Sequence, residues 1–336
     1  MSHNTSKITV LGAGSWGTAL SLVLANNGHD TTLWSHRKEH TQALQKDRSN
    51  QRYLPGIGFP DTLQIEHDLP AAISAAELLL IVVPSHAFRT TLQQIKPIIA
   101  PTQNIAWATK GLEPGTQKLL HQMVQEELGD THKLAVLSGP TFALEVAKQL
   151  PGAVTVASRD PDYAMELARL FNNSYFRAYT GSDIIGVELG GAVKNVLAIA
   201  AGTADGLGFG ANARAALIAR GVAEVTRLGA ALGAHAETFM GLTGLGDLVL
   251  TCTDDQSRNR RLGLALGKGK PIDETVTAIG QVVEGINTSK EVRALAQSHH
   301  VDMPISEQVY RVIHEGVTPK DAVQALMERA IRSEVD

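Results

Sequence analysis

The chain opens with a short β-rich run, Lys7 to Leu11, followed by glycines and then an apolar, helix-like stretch from Thr18 to Asn27. A second strand pattern covers Asp30 to Trp34. Leu78 to Val83, Asn104 to Ala108, Leu134 to Leu137 and Ala153 to Ala157 have the composition of buried strands, with helix-like segments between several of them. Such alternation predicts an α/β fold with a doubly wound, largely parallel sheet. After Phe176-Arg-Ala-Tyr179 the texture changes. From about Ser182 nearly to Met327 the apolar residues follow helical spacing, which predicts an all-helical C-terminal domain and a division into 1–182 and 183–336. Within that half, Val187 to Gly202 carries Leu189, Val193, Val196, Leu197 and Ala200 at spacings of three and four, the pattern of a buried helix.

At 336 residues the chain is too long for one ordinary core, which agrees with two domains. Thirty basic residues against 34 acidic ones give a net charge of -4. That balance offers no general attraction for nucleic acid or an anionic membrane, so any anion site must be built locally. The single cysteine, Cys252, cannot form an internal disulfide, and the polar stretch Met1 to Lys7 lacks an apolar signal core. The longest aliphatic run, Leu78 to Val83, is too short to span a bilayer. The expectation is a cytoplasmic protein, with neither nucleic acid nor membrane as a partner.

Candidate chemistry begins at Gly12-Ala-Gly-Ser-Trp-Gly17. Strand, Gly-x-Gly-x-x-Gly and helix is the context of a Rossmann-type dinucleotide fingerprint, in which Gly12, Gly14 and Gly17 permit a tight turn and close backbone approach to a pyrophosphate. Trp16 in that turn either shields a cofactor or simply packs. About 20 residues on, where an NAD-selective protein places an acid on the ribose, stand His36 and Arg37. A guanidinium there favours a 2′-phosphate and NADP(H), the alternative being an exposed surface arginine. Lys110, at the end of a strand, is a candidate for substrate or cofactor oxygens or else a solvated loop lysine.

Lys194 is the odd residue of the apolar helix. Its own face offers Gly190, Gly191, Leu197 and Ala198 and no carboxylate, so the amine is expected to be poorly hydrated and suited to trading protons. The alternative is a lysine that snorkels to water. Gly241-Leu-Thr-Gly-Leu-Gly-Asp247 is expected to be a glycine-dense loop whose Asp247 either serves the site or caps a helix. Ser257-Arg-Asn-Arg-Arg261 gathers donors and positive charge before a helix-like segment, suiting a phosphate or forming a surface patch. His299-His300 lacks a partner at metal-ligand spacing, and no metal is expected.

Together these stretches resemble the NAD(P)-dependent glycerol-3-phosphate dehydrogenase family of bacterial type. The resemblance runs nearly the full length. It rests on Gly12 to Gly17, Ala108-Thr-Lys-Gly111, Ser138-Gly-Pro-Thr-Phe-Ala143, Gly191-Ala-Val-Lys-Asn195 continuing to Asp205-Gly-Leu-Gly208, Gly244-Leu-Gly-Asp247, Ser257-Arg-Asn-Arg260 and Val282-Val-Glu-Gly285. It implies that Lys194 is the catalytic acid/base, with Asp247 orienting it or a substrate hydroxyl. It also implies substrate contacts at Lys110, Gly139, Thr141, Asp247, Ser257, Arg258 and Asn259. Cofactor contacts are implied at Ser15, Trp16, Arg37, Lys110, Ala143, Arg258, Val282 and Glu284.

The family more often has serine where this chain has Thr141, and Ala219 and Thr243 also depart from its usual choices. The resemblance further implies NADP(H) and also NAD(H) as cofactors, a phosphorylated three-carbon substrate, a homodimer, and a role in supplying glycerol 3-phosphate for phospholipid synthesis. Two rivals remain open: a dehydrogenase of the β-hydroxyacid type, which needs a carboxylate site in place of the Ser257–Arg261 cluster, and a non-catalytic NADP(H)-sensing regulator.

Overall fold

The structure, a computed structural model, describes residues 5–331, 333 and 334; residues 1–4 of the polar N-terminal stretch lie outside that set. The chain forms two compact units. One runs from the N-terminal strand to Glu113 and from Lys118 to Glu188; the other comprises Pro114–Gln117 and everything from Leu189 onward.

In the first unit the elements follow one another as β1 (Lys7–Leu11), α1 (Ser15–Asn26), β2 (Asp30–Trp34), α2 (Lys38–Asp47), β3 (Ser49–Asn50), β4 (Leu54–Gly58), β5 (Gln64–Glu66) and α3 (Leu69–Ser74). Then come β6 (Leu78–Ile81), α4 (Ser85–Ile95), β7 (Asn104–Trp107), α5 (Leu120–Leu128), β8 (Leu134–Ser138), α6 (Ala143–Ala147), β9 (Gly152–Ala157), α7 (Pro161–Phe171) and β10 (Phe176–Gly181). Among the described residues eight strands form one sheet in the order β10-β9-β8-β7-β6-β1-β2-β5, parallel except where β8 meets β9. The small antiparallel pair of β3 and β4 stands apart from it.

Strand periodicity sorts this core into two layers. Ile8, Val10, Leu78, Leu80 and Ala106 face one cluster with Leu20, Leu24, Leu167 and Phe171. Leu11, Leu79, Ile81, Ile105 and Trp107 face the other with Phe88, Leu92, Met123 and Val124. The centre of the sheet is therefore covered on both faces, which is why β6 is wholly apolar and β7 nearly so, while the edge strands β10 and β5 are partly exposed. The chain runs from β1 to β2 on one side and returns to β6 on the other, so a topological switch point lies between β1 and β6.

The second unit is helical. Its elements are α8 (Ile184–Gly206, whose first turn belongs to the first unit), α9 (Ala211–Ala231), α10 (Ala236–Met240), a π-helical turn (Leu242–Gly246), α11 (Asp247–Thr253) and α12 (Arg258–Gly267). They are followed by α13 (Ile272–Ile279), α14 (Glu284–Ser298), α15 (Pro304–His314) and α16 (Pro319–Met327). Helix α8 is long and apolar enough to cross a membrane, a property the search for aliphatic runs passes over, but most of it is buried inside the protein. That is the condition of a core helix.

Glycines decide what α8 packs against. A Cβ on Gly202 or Gly206 would meet the backbone of Arg260, Leu264 or Gly267, and one on Gly263 or Gly267 would meet Ile199, Thr203 or Gly206. Two small residues a turn apart on each helix thus bring α8 and α12 into backbone contact. The expected loop at Gly241–Asp247 is instead helical from Leu242 onward, and Gly244 serves packing rather than turning. None of its glycines has a positive φ, and a Cβ on Gly244 would run into the backbone of Phe239.

Candidate active site

In the first unit the site is built from backbone. Gly12 has φ +123°, a value open to glycine and strained for other residues, and a Cβ there would strike the Val82 carbonyl at the end of β6. A Cβ on Gly17 would strike the Gly12 carbonyl, so the two glycines pack the turn against the sheet and the helix against the turn. Gly14 differs. It is the N-cap of α1, and a Cβ there would meet nothing within 4 Å.

No side chain caps α1 and no acid lies in its first turn. The amides of Ser15, Trp16 and Gly17 precede the first possible intrahelical bond, with the helix dipole behind them. This arrangement fits a pyrophosphate. The indole Nε1 of Trp16 is buried without a hydrogen-bond partner while the residue, partly buried, packs against the first core cluster.

The rim of this turn is cationic. Arg37 is exposed at the N-cap of α2, and its Nε donates to His36 Nε2 at 3.3 Å. Burial and the neighbouring charges of Arg37 and His67 hold the His36 imidazole below its usual pKa. His40 is also held low, first by burial and then by Arg52, Arg37 and His36, against the Ala13 carbonyl 3.3 Å away, which works the other way.

The β3–β4 hairpin contributes residues that sequence reasoning missed. Asn50 Nδ2 donates to Ala13 O at 3.1 Å, Ser15 Oγ donates to Tyr53 O at 2.7 Å, and the Tyr53 ring meets His40 edge-on. The hairpin therefore buttresses the glycine turn. Further along the sheet Lys110 Nζ and Thr141 Oγ1 both donate to Gly139 O, each at 3.4 Å. Gly139 must lack a side chain, since a Cβ would come within 2.7 Å of the Ala153 carbonyl on the antiparallel strand β9. The adjacent Ser138 Oγ is buried without a partner.

In the second unit the site is built from side chains. Lys194 is 9% exposed, and its Nζ donates to Asp247 Oδ1 at 2.5 Å and to Thr251 Oγ1 at 3.0 Å. The expectation of an amine with no carboxylate nearby holds only along its own helix; the counter-charge arrives from α11. Asp247 is wholly buried and is the first residue of α11 rather than its cap, the N-cap being Gly246. Thr251, one turn later, donates its hydroxyl proton to Asp247 O at 2.6 Å, which leaves its oxygen facing the ammonium. Gly190 allows this meeting, because a Cβ there would lie 2.5 Å from Thr243 O.

The Ser257–Arg261 cluster divides. Arg260 is buried and structural: it donates to Cys252 O at 3.0 Å, to Asp205 at 2.6 Å and to Asp255, so it is not part of a phosphate site. Ser257 caps α12 by accepting from Arg260 N at 3.2 Å. Arg258, half-buried, reaches Gln281 Oε1 at 3.4 Å, and Val282 beside it is exposed. Asn259 is buried, and both ends of its carboxamide go to neighbouring helices. Burial pushes the Cys252 thiol up to about 12, so it is neither a nucleophile nor a redox group.

A doubly wound sheet with an uncapped glycine turn at its switch point defines the first unit as a dinucleotide-binding fold. The comparisons give the family. Residues 7–164 match the N-terminal region, and residues 183–324 the C-terminal region, of NAD-dependent glycerol-3-phosphate dehydrogenase, and the chain belongs to that family. A relative from Pseudoalteromonas translucida, named glycerol-3-phosphate dehydrogenase (NAD(P)+), is 57% identical over 99% of this chain and 100% of its own. One of the same name from Shewanella oneidensis is 56% identical over 99% and 98%. The crystal structure of glycerol-3-phosphate dehydrogenase from Coxiella burnetii superposes with a TM-score of 0.94 at 50% identity, covering 97% of this chain and 99% of that one. A ketopantoate reductase from Ralstonia eutropha, at 16% identity and a TM-score of 0.59, shares the fold alone.

Proposed function

We propose that the protein interconverts sn-glycerol 3-phosphate and dihydroxyacetone phosphate with NADP(H), and also with NAD(H). The observation that carries this reading is the buried Lys194 amine held between Asp247 and Thr251. Residues 1–182 form the dinucleotide-binding part and residues 183–336 the substrate and catalytic part. The glycine turn holds the pyrophosphate on the amides of Ser15, Trp16 and Gly17, and Arg37 with His36 receives the 2′-phosphate that separates NADP(H) from NAD(H). Ala143, Val282 and Glu284 are further cofactor contacts, and Lys110, Gly139 and Thr141 contact the substrate, Lys110 serving both. When bound, the nicotinamide supplies or accepts the hydride.

The chain's own part is to bind, to orient and to move one proton. Lys194 Nζ protonates the ketone oxygen as ammonium in reduction and, as the neutral amine, takes the alcohol proton in oxidation. Asp247 and Thr251 fix the direction of the amine and stabilise its charge. Ser257, Arg258 and the first amides of α12 hold the phosphate, with the dipole of a ten-residue helix behind them. Binding the phosphate away from the reacting carbon aligns the carbonyl for transfer.

The protein is further proposed to be cytoplasmic and homodimeric, as the family suggests, to bind neither nucleic acid nor membrane, and to supply glycerol 3-phosphate for phospholipid synthesis. Adding dihydroxyacetone phosphate to protein and NADPH is expected to consume the NADPH absorbance. A protein that binds NADPH but leaves it unoxidised is a sensor instead; oxidation with a β-ketoacid and not with the phosphate ester would make it a β-hydroxyacid enzyme.

A further inference from the structure

Asn50, on β3, is wholly buried, and its carboxamide serves two parts of the first unit at once. Its Nδ2 donates to Ala13 O at 3.1 Å and to Thr18 Oγ1 at 2.8 Å, while its Oδ1 accepts from Tyr53 N at 3.1 Å. A backbone amide only donates and a carbonyl only accepts, so a single orientation of the carboxamide satisfies all three neighbours. His40 Nε2 approaches the same Ala13 oxygen from α2 at 3.3 Å, but His40 is only half-buried and its contact is the longer.

Ala13 is the residue of the turn that most needs such a hold. It stands between Gly12, at φ +123°, and Gly14, around which a Cβ would find nothing within 4 Å. A glycine on either side gives the chain freedom at both ends of one residue. The Ala13–Gly14 peptide is trans and planar, so fixing its carbonyl toward Asn50 turns the Gly14 N–H the opposite way, at the head of the amides of Ser15, Trp16 and Gly17.

The hairpin has anchors of its own. Leu54 and Phe59 are buried in the core, Phe59 N donates to Arg48 O at 2.8 Å, and the Arg48 guanidinium donates to Leu63 O at 3.0 Å and to Pro60 O at 2.6 Å. The carboxamide of Asn50 therefore adds little to where the hairpin sits, and what it fixes is the turn.

We propose that Asn50 is a positioning residue for the dinucleotide: by holding the Ala13 carbonyl it keeps the glycine turn set for a pyrophosphate before a cofactor arrives. The inference rests on the reading of that turn as the pyrophosphate site. Without the hold, part of the turn must be ordered at the moment of binding, and ordering the backbone of one residue costs about tenfold in affinity. NADPH and NADH share the pyrophosphate, so both should lose alike, unlike the loss expected from Arg37, which touches only the 2′-phosphate.

The test uses two variants. Asn50→Asp keeps the shape and the acceptor for Tyr53 N but sets an acceptor against Ala13 O; Asn50→Ala removes the carboxamide without burying a charge. Each is titrated by fluorescence with NADPH and NADH, and with adenosine 2′-phosphate, which has no pyrophosphate, as a competitor. Both variants are expected to weaken NADPH and NADH by one common factor of about ten, Asp at least as strongly as Ala. Binding of adenosine 2′-phosphate, kcat at saturating NADPH and KM for dihydroxyacetone phosphate should each stay within about threefold of wild type.

Wild-type affinity for both cofactors in either folded variant overturns the proposal. So does a weak Ala variant beside an unaffected Asp variant, which would leave Asn50 serving Tyr53 N alone. A loss larger for NADPH than for NADH would move its action to the 2′-phosphate, and an equal loss of adenosine 2′-phosphate would mean a loosened unit rather than a misdirected turn. Wild-type protein that binds neither cofactor would remove the pyrophosphate reading itself, a result distinct from all of these.

Discussion

The two units solve the same problem, holding a small ligand, with opposite materials. In the first, the dinucleotide turn is made of main chain: Gly12 and Gly17, where a Cβ would strike backbone, amides at an uncapped helix, and exposed cations around them. Its core is apolar on both faces of a sheet, and a buried polar cluster, Glu188 with His121 and Trp107, ties the start of α8 to α5 and β7. The second unit is helices cross-linked by buried polar side chains. Lys194 with Asp247, Arg260 with Asp205, Asn195 with Asn259, and Glu224 with the start of α15 are each drawn from different helices. Backbone sites tolerate exposure because their geometry is fixed by the fold. Side-chain sites need burial to hold direction, and pay in desolvation unless every partner is present.

The largest effect that would break this contrast concerns Lys194. Lys194→Met is expected to lower turnover by about 10²–10⁴-fold while NADPH affinity, which belongs to the first unit, changes little. The same variant leaves Asp247 buried without its counter-charge, a loss on the order of 3–5 kcal/mol, so its unfolding midpoint should fall as well. Turnover near wild type would show that another group moves the proton. A matching loss of NADPH affinity would show that the two sites are not separable.

A second effect probes the buried polar links alone. Glu224 accepts from Ile305 N at 2.6 Å and from Ser306 N and Oγ at 3.1 and 3.0 Å, capping α15 from α9. Burial pushes its carboxyl up to about 7, against the opposing pull of those donors and of Arg227. The folded state therefore holds a proton that the unfolded state, with an ordinary carboxylate near 4.5, releases. Stability from this group is full below the unfolded pKa and is lost as pH rises through about 7, a swing on the order of 3 kcal/mol. Chemical denaturation from pH 5 to 8 should show a decline that Glu224→Gln flattens. An unchanged slope in that variant would place the pH dependence elsewhere.

The same difference in materials explains what could be read from the residues alone. The glycine turn is contiguous in sequence, so strand, Gly-x-Gly-x-x-Gly and helix could be recognised within a few residues. The lysine's partners lie 53 and 57 positions away on another helix, and periodicity along α8 can report only that its own face is apolar. Thr251 left a fainter signal: it follows Asp247 by four, the spacing that puts two helical side chains on one face. In the Ser257–Arg261 run, composition suggested one patch, yet helical rotation sends Arg258 outward and Arg260 into the core. The β3–β4 hairpin stayed hidden because one strand has two residues and the other carries Pro55 and Gly56, residues that depress any strand pattern.

The smallest effect sharpens the contrast at the cationic rim. Arg37 is exposed and makes one side-chain hydrogen bond, to an imidazole, so its removal should leave folding nearly untouched. A 2′-phosphate held by a guanidinium is worth about one to two powers of ten in affinity. Arg37→Ala is therefore expected to weaken NADPH by about tenfold while NADH changes little, bringing the two affinities together. His36 and His40 lie in the same positive field and are held below their usual pKa by burial and by their cationic neighbours. An arriving phosphate dianion offsets that field and favours protonated imidazole, so NADPH binding in the wild type should strengthen as pH falls toward 6, with NADH binding flat by comparison. Fluorescence titration of both cofactors across that range, in wild type and Arg37→Ala, decides the matter. An NADPH/NADH ratio that the substitution leaves unchanged would return Arg37 to the status of a surface arginine and assign the preference to the backbone of the turn.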